Sequence, residues 1–331
     1  MKKITALLLA LFVLVGALAG CGKQNDTNKT DKLSIVTTIF PEYDWVREIL
    51  GDKADNAEIT MLLDNGVDLH SYQPTADDIV KISDCDLFIY VGGESDGWVE
   101  DALRNAANRN MKVINLLEVL GDSVKTEEIV EGMQEEHEDA HAHDDAEEHE
   151  HEEEADEHVW LSLKNAKMLV RVISKALQEL DPDNKDIYAA NADAYVKKLS
   201  ALDAEYQAAV DAASNKTILF GDRFPFRYLV DDYGLRYYAA FVGCSAETEA
   251  GFETISFLAK RVDEWKLPCV LTIEGAQHKI AETIVRNTTM KNQKVLTMDS
   301  MQSTTTQDVK NGTTYLSVME KNLSVLKEAL R

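Results

Sequence analysis

The chain has 331 residues, enough for two domains, and its 45% hydrophobic content is that of an ordinary globular protein. Its formal net charge is −25, which argues against nucleic acid as a partner and for cations. Residues 134–158 alone supply 14 of the acidic side chains, so the excess is concentrated rather than spread.

The first residues read as an export signal. Lys2 and Lys3 precede an apolar run, Leu7 to Leu18, that is too short to be a comfortable membrane span. Leu18-Ala19-Gly20-Cys21 then resembles a bacterial lipobox. That resemblance implies a signal peptide over 1–20, cleavage before Cys21 and a lipid thioether on its sulfur. Residues 21–32 are polar and suit a tether. No later stretch is apolar enough to span a bilayer, so an extracytoplasmic chain anchored to the membrane by lipid is expected. Three cysteines remain, Cys85, Cys244 and Cys269, and an odd number excludes complete internal pairing. Cys85 and Cys269 flank apolar runs and read as small buried hydrophobes.

From residue 33 onward, short β-branched runs alternate with helical patterns, the signature of parallel α/β units. Strands are expected at Leu33–Thr37, Glu58–Leu62, Leu87–Val91 and Lys112–Leu116, with helices such as Tyr43–Leu50 and Thr75–Ser83 between them. A second set is expected at Thr217–Phe220, Tyr238–Val242, Val270–Ile273 and Val295–Thr297, with helices at Phe252–Trp265, Lys279–Thr288 and Thr314–Ala329. Between the sets, Ala166–Leu180 carries an apolar face and Asp181-Pro182 breaks it. Lys185–Ala213 follows with apolar residues at steps of three and four and no Pro or Gly. At the usual rise it would extend about 43 Å. The expectation is an α/β fold of two lobes with parallel sheets, a first lobe over 33–184, a rigid linking helix over 185–213 and a second lobe over 214–331.

Six of the eight histidines lie in 134–161, interleaved with 14 acids. They are His137, His141, His143, His149, His151 and His158. Imidazole suits zinc and its neighbours in the transition series, and carboxylates add oxygen donors. Residues 134–156 have no apolar periodicity and read as a loop that collects metal loosely. At its end, His158 runs into Val159-Trp160-Leu161, an apolar anchor that suits a structured site. In open parallel sheets ligands bind at the carboxyl ends of strands. Just past those ends stand His70, Asp222, Arg223, Cys244, Glu274 and Asp299.

Four segments give the chain a family resemblance. Gly66-Val67-Asp68-Leu69-His70-Ser71-Tyr72-Gln73-Pro74-Thr75 is one. Asp156-Glu157-His158-Val159-Trp160-Leu161 is the second. Phe226-Arg227-Tyr228 with Tyr233-Gly234-Leu235 is the third, and Leu296-Thr297-Met298-Asp299-Ser300 the fourth. Together they resemble the metal-binding solute-binding lipoproteins of bacterial zinc and manganese ABC importers, from about Leu33 to Arg331. The resemblance implies a metal site in the cleft between the lobes, with His70, His158 and Asp299 as ligands. It breaks at Arg223, where the family has a histidine or glutamate, because a guanidinium stays protonated and cannot ligate a cation. Glu274, Asp222 and Cys244 are the candidates for the missing donor by position, and Glu274, directly after Val270-Leu271-Thr272-Ile273, is favoured. Arg223 is expected to pair with a carboxylate just outside the ligands, and the local sequence offers Asp222, Glu274 and Asp299.

The function this implies is capture of a divalent cation, Zn²⁺ ahead of Mn²⁺, and its delivery to an ABC permease in the membrane by a monomeric, non-catalytic carrier. A metal-dependent adhesin or a metal buffer is the alternative. An extracellular zinc hydrolase fits less well, because neither H-E-x-x-H nor a Ser-His-Asp set is apparent.

Overall fold

The computed structural model describes residues 32–134, 154–245, 249–275 and 277–331. Cys21 and the signal and tether residues before Lys32 lie outside the described residues, as do His137, His141, His143, His149 and His151.

The first lobe is built on β1 (Leu33–Thr37), β2 (Ala57–Met61), β3 (Leu87–Tyr90) and β4 (Lys112–Asn115), in the order β2-β1-β3-β4. The second is built on β5 (Thr217–Phe224), β6 (Arg236–Val242), β7 (Cys269–Thr272) and β8 (Lys294–Thr297), in the order β6-β5-β7-β8. Every pairing is parallel. Parallel neighbours require crossovers. In the first lobe these are α1 (Phe40–Leu50), α2 (Ala76–Asp84) and α3 (Val99–Arg104), and α4 (Leu116–Leu120) follows β4. Strands covered on both faces read as continuous apolar runs, which is why Leu87-Phe88-Ile89 and Val270-Leu271 are fully buried.

Helix α5 (Leu163–Leu180) starts at Ser162, whose hydroxyl accepts from Asn165 N at 3.0 Å, and stops before Pro182. Helix α6 (Lys185–Ala212) buries Tyr188, Tyr195, Leu199, Leu202, Tyr206 and Val210 along one side. It packs on α5 and α1 of the first lobe. In the second it meets α7 (Arg227–Tyr233). After α8 (Phe252–Trp265), α9 (Lys279–Asn287) and α10 (Thr306–Lys310), the chain ends in α11 (Tyr315–Ala329), which also packs on α6 and reaches α1. The long helix therefore joins the two lobes. Buried tyrosines fasten the joint: Tyr206 OH donates to Met319 O at 2.7 Å, and Tyr315 OH to Trp160 O at 2.6 Å. One apolar core runs through both lobes and α6, while a smaller one seats α8 and α9 on the second sheet. No helix of the described residues is long and apolar enough to cross a membrane.

The strands expected from sequence all form, and most ends shift by a residue or two. The larger difference is β5, which continues past Phe220 to Phe224 with a register shift against β6 between Phe220 and Arg223. Such a bulge re-aims side chains at the end of a strand, and here it lies beside the residue that breaks the family pattern.

Candidate metal centre

His70 stands on a single 3₁₀ turn, Leu69–Ser71, beyond the end of β2. Asp68 caps that turn by accepting from His70 N at 3.0 Å. His158 sits at the start of the buried Val159–Leu161 turn, and Asp156 accepts from His158 N at 2.9 Å. Both histidines thus follow an Asp-x-His pattern, in which a short carboxylate fixes the backbone two residues on.

The rings are aimed by what holds their Nδ1 atoms. His158 Nδ1 lies 3.0 Å from Asp156 Oδ1. His70 Nδ1 lies 2.8 Å from Ser95 Oγ and 3.4 Å from Glu157 Oε2. The Nε2 atoms are left facing one another at 3.2 Å. A carboxylate or hydroxyl on one ring nitrogen orients the other toward a metal and raises its basicity. Two glycines make room for this packing. A Cβ on Gly93, at φ +82, would fall 2.3 Å from Glu157 Oε1, and one on Gly243 would fall 3.0 Å from His158 Cε1.

Gly243 brings Cys244 to the rings. Among the described residues, donor atoms of His70, His158 and Cys244 all lie within 4.8 Å of one another. Cys244 N donates to Glu127 Oε1 at 2.9 Å. Burial, aided by the charges of Glu127, Asp156 and Glu157, pushes its thiol well above the ordinary range. A thiol among carboxylates stays protonated until a cation arrives, and a coordinated thiol is deprotonated outright. Burial works against the imidazolium of His158, but Asp156, Asp68 and Glu157 outweigh it and the ring is held more basic than usual.

Glu274 and Asp299 are outside that group of three. Glu274 accepts from Ser300 N and Ser300 Oγ, each at 2.7 Å, and from Gln302 N at 3.1 Å. Asp299 Oδ1 accepts from Met301 N at 2.8 Å. Together the two carboxylates hold a turn in which Met301 has φ +65. A left-handed non-glycine residue is unfavourable by about 1–2 kcal/mol, and the backbone N–H bonds donated to these carboxyl groups offset that. Burial, then the nearby Glu274 charge, raises the Asp299 carboxyl to about 6. Asp222 is taken up by Ile273 N at 3.4 Å.

Arg223 finds a partner that position in the sequence does not suggest. Its Nη2 lies 2.7 Å from Asp68 Oδ2, across the cleft, and its Nη1 donates to Ser245 O at 3.2 Å. The carboxylate that holds it is therefore Asp68, and not Asp222, Glu274 or Asp299. Gln302, with its amide turned, donates from its side-chain nitrogen to both Asp68 oxygens at 3.0 and 3.3 Å. Burial favours the neutral form of Asp68, but Arg223 and then His70 outweigh it and its carboxyl titrates below the usual range. Sequence reasoning misses Asp68 and Asp156 as functional residues, although the repeated Asp-x-His spacing is visible in the chain.

Two parallel α/β lobes joined by one long helix, with two imidazoles and a thiol meeting between them, define a metal-binding protein of the solute-binding class. The chain belongs to the family of the periplasmic zinc-uptake complex component A, whose pattern matches residues 35–329. It is 34% identical to the zinc-binding lipoprotein AdcA of Streptococcus pneumoniae over 99% of its own length and 61% of AdcA. It therefore spans about three-fifths of that relative. It is 31% identical to the high-affinity zinc uptake system protein ZnuA of Bacillus subtilis, over 97% of this chain and 95% of ZnuA. Its fold matches the Zn(II)-bound ZnuA-like domain of S. pneumoniae AdcA with a TM-score of 0.68 and 30% identity, covering 90% of this chain and 99% of that domain. It also matches the metal-dependent lipoprotein YcdH of B. subtilis with a TM-score of 0.70 and 26% identity, covering 90% of this chain and 99% of YcdH.

Proposed function

We propose that this chain captures Zn²⁺ outside the cytoplasm and delivers it to an ABC permease, as a carrier and not an enzyme. The observation that carries the reading is the meeting of His70, His158 and Cys244 donor atoms between the lobes. Two nitrogens and a sulfur are borderline-to-soft donors, which suit zinc in a tetrahedral site better than manganese. We assign His70, His158 and Cys244 as protein ligands. The fourth position goes to Asp299, whose turn hydrogen bond uses Oδ1, or to water. Glu274 is assigned to the Ser300–Gln302 turn, because both of its oxygens already accept hydrogen bonds there.

The organisation proposed with it is a signal peptide over 1–20, lipid on Cys21, a tether to residue 32, lobes over 33–184 and 214–331 and the linking helix over 185–213. The histidine-rich segment raises the local metal concentration beside the site, and the lipid keeps the monomer near its permease. The described residues that flank the segment lie near the site. Gln134 N donates to Ala240 O on β6 at 2.9 Å, and Ala155 bridges Thr126, next to the Glu127 that holds Cys244.

The test is elemental analysis and calorimetry on the chain with residues 135–153 deleted. One tightly bound zinc per chain is expected, with manganese displaced by it, and the weaker sites of the intact chain gone. Loss of the tight site with the deletion would put that site in the segment and refute the reading.

A further inference from the structure

We propose that Arg223 is a latch across the cleft: it holds the two ligand-bearing segments in register and so governs how fast the metal leaves. The inference rests on the zinc-carrier reading and deepens it.

Arg223 belongs to the second lobe, on the bulged end of β5. Its guanidinium makes one bond forward and one sideways. Forward, Nη2 meets Asp68 Oδ2 of the first lobe at 2.7 Å. Asp68 is the residue whose other oxygen accepts from His70 N, so the bond acts on the backbone that carries a ligand. Sideways, Nη1 donates at 3.2 Å to the carbonyl of Ser245, the residue after Cys244. One planar, five-donor group thus ties the His70 turn to the Cys244 turn, which a lysine ammonium would do with looser geometry. The side chains of the pair are only 20% and 22% exposed, so solvent screens the bond incompletely.

A cation next to a divalent metal site is at first sight unfavourable. The arrangement answers this objection, because Asp68 Oδ1 lies 3.9 Å from His70 Nε2. The guanidinium is matched by a carboxylate that faces the donor atom. Gln302, from the turn held by Glu274 and Asp299, adds a second grip from the same lobe on the same carboxylate. The second lobe therefore reaches the His70 turn through Asp68 by two routes, neither of which uses the metal. The lobes are thus registered by contacts that do not include the metal.

The experiment uses the full chain, Zn²⁺ as the only metal, and a chelator chase to read release. Arg223→Gln, Arg223→Lys, Asp68→Asn and the double variant Arg223→Gln/Asp68→Asn are compared with wild type. Asn at 68 still accepts from His70 N, so the cap survives while the ion pair is lost. Removing an outer partner of a metal ligand typically changes affinity 10- to 100-fold. Release from Arg223→Gln should be at least about tenfold faster, with association within about threefold of wild type. Arg223→Lys should recover part of the loss, and the double variant should be no worse than the worse single variant, as expected for residues acting as one unit. Release at the wild-type rate or slower in Arg223→Gln would overturn the latch and leave the guanidinium as a repelling charge. Additive losses in the double variant, or an unchanged Lys and Gln pair, would also overturn it. If Arg223→Gln does not fold, as read by the melting of the metal-free chain, Asp68→Asn carries the same prediction. Failure of the wild type to retain zinc would instead refute the carrier reading.

Discussion

The imidazole side of the cleft and the Glu274 side begin from similar material, a metal-capable side chain next to an apolar run. They differ in what has already claimed its polar atoms. His70 and His158 each give Nδ1 to a neighbour and keep Nε2 directed into the cleft, 3.2 Å from the other ring. Glu274 gives both oxygens to the Ser300–Gln302 turn. A donor that is aimed by its spare atom is ready for a metal. A carboxylate that already accepts from the backbone N–H groups of the wall has fewer lone pairs to offer a metal, and that is the basis of the role proposed for Glu274. Residue type and position do not distinguish the two cases; the proposed assignment rests on the hydrogen-bond inventory of each side chain.

The comparison breaks most visibly at His158. Replacing it by Ala removes a ligand, so the zinc-dependent rise in melting temperature, which linkage ties to affinity, should fall to that of the weak sites alone. A retained shift in His158→Ala would mean that the cleft is not where zinc binds. A smaller effect is expected at Asp156, which touches the ring and not the metal. Asp156→Asn should weaken zinc about 10- to 100-fold, the usual range for a partner that orients a ligand histidine; isothermal titration of the loop-deleted chain would read it. Glu274→Gln should change zinc affinity by only a few-fold. It should nevertheless lower the stability of the metal-free chain by about 1–3 kcal/mol, because backbone donors lose a charged acceptor. The reverse ranking, with Glu274→Gln more damaging to zinc than Asp156→Asn, would exchange the roles of the two sides.

Acidity should separate metal-free stability from metal binding. Burial raises Glu42 to about 8 and Asp44 to about 7. Asp299 is raised to about 6 by burial and Glu274. Each folded value is above its ordinary one, so the stability these carboxyls contribute is full below about pH 4 and is lost as pH rises through their folded values. The loss is at most about 1.4 kcal/mol for each pH unit that separates the folded value from the ordinary one. The metal-free chain should therefore melt higher at pH 5 than at pH 8. Zinc affinity should run the other way, since imidazole and thiol must give up protons to bind. Glu42→Gln should flatten the first profile and leave the second in place. Parallel changes in both profiles would show that the same groups control both.

Much of this is legible in the chain before the fold. Periodicity locates the strands, and the break at Pro182 followed by an uninterrupted apolar stripe marks α6 as a long joint. The short helices α3, α4, α7 and α10 are not anticipated, because a turn or two is too little for a period to register. At the site, His70 and His158 announce themselves through motif and apolar anchor. Cys244 is open in the sequence as one of three strand-end donors, and adjacency to an apolar run favours Glu274 over it. Adjacency cannot reveal that the Glu274 oxygens hold a turn with Met301 at positive φ. Nor can it reveal that the bulge in β5 directs Arg223 across the cleft to Asp68. Both are three-dimensional pairings between residues far apart in the chain.

The central claim is that the metal is held by two imidazoles and the Cys244 sulfur. Loading the chain lacking residues 135–153 with Co²⁺ tests it directly, since a thiolate bound to cobalt adds a sulfur-to-metal charge-transfer absorption that nitrogen and oxygen ligands do not. The account predicts that absorption in the otherwise unaltered chain, its loss in Cys244→Ser, its persistence in Glu274→Gln, and displacement of the cobalt by one equivalent of Zn²⁺. A bound cobalt with no thiolate absorption in the unaltered chain would contradict it, and would return the third position to a carboxylate.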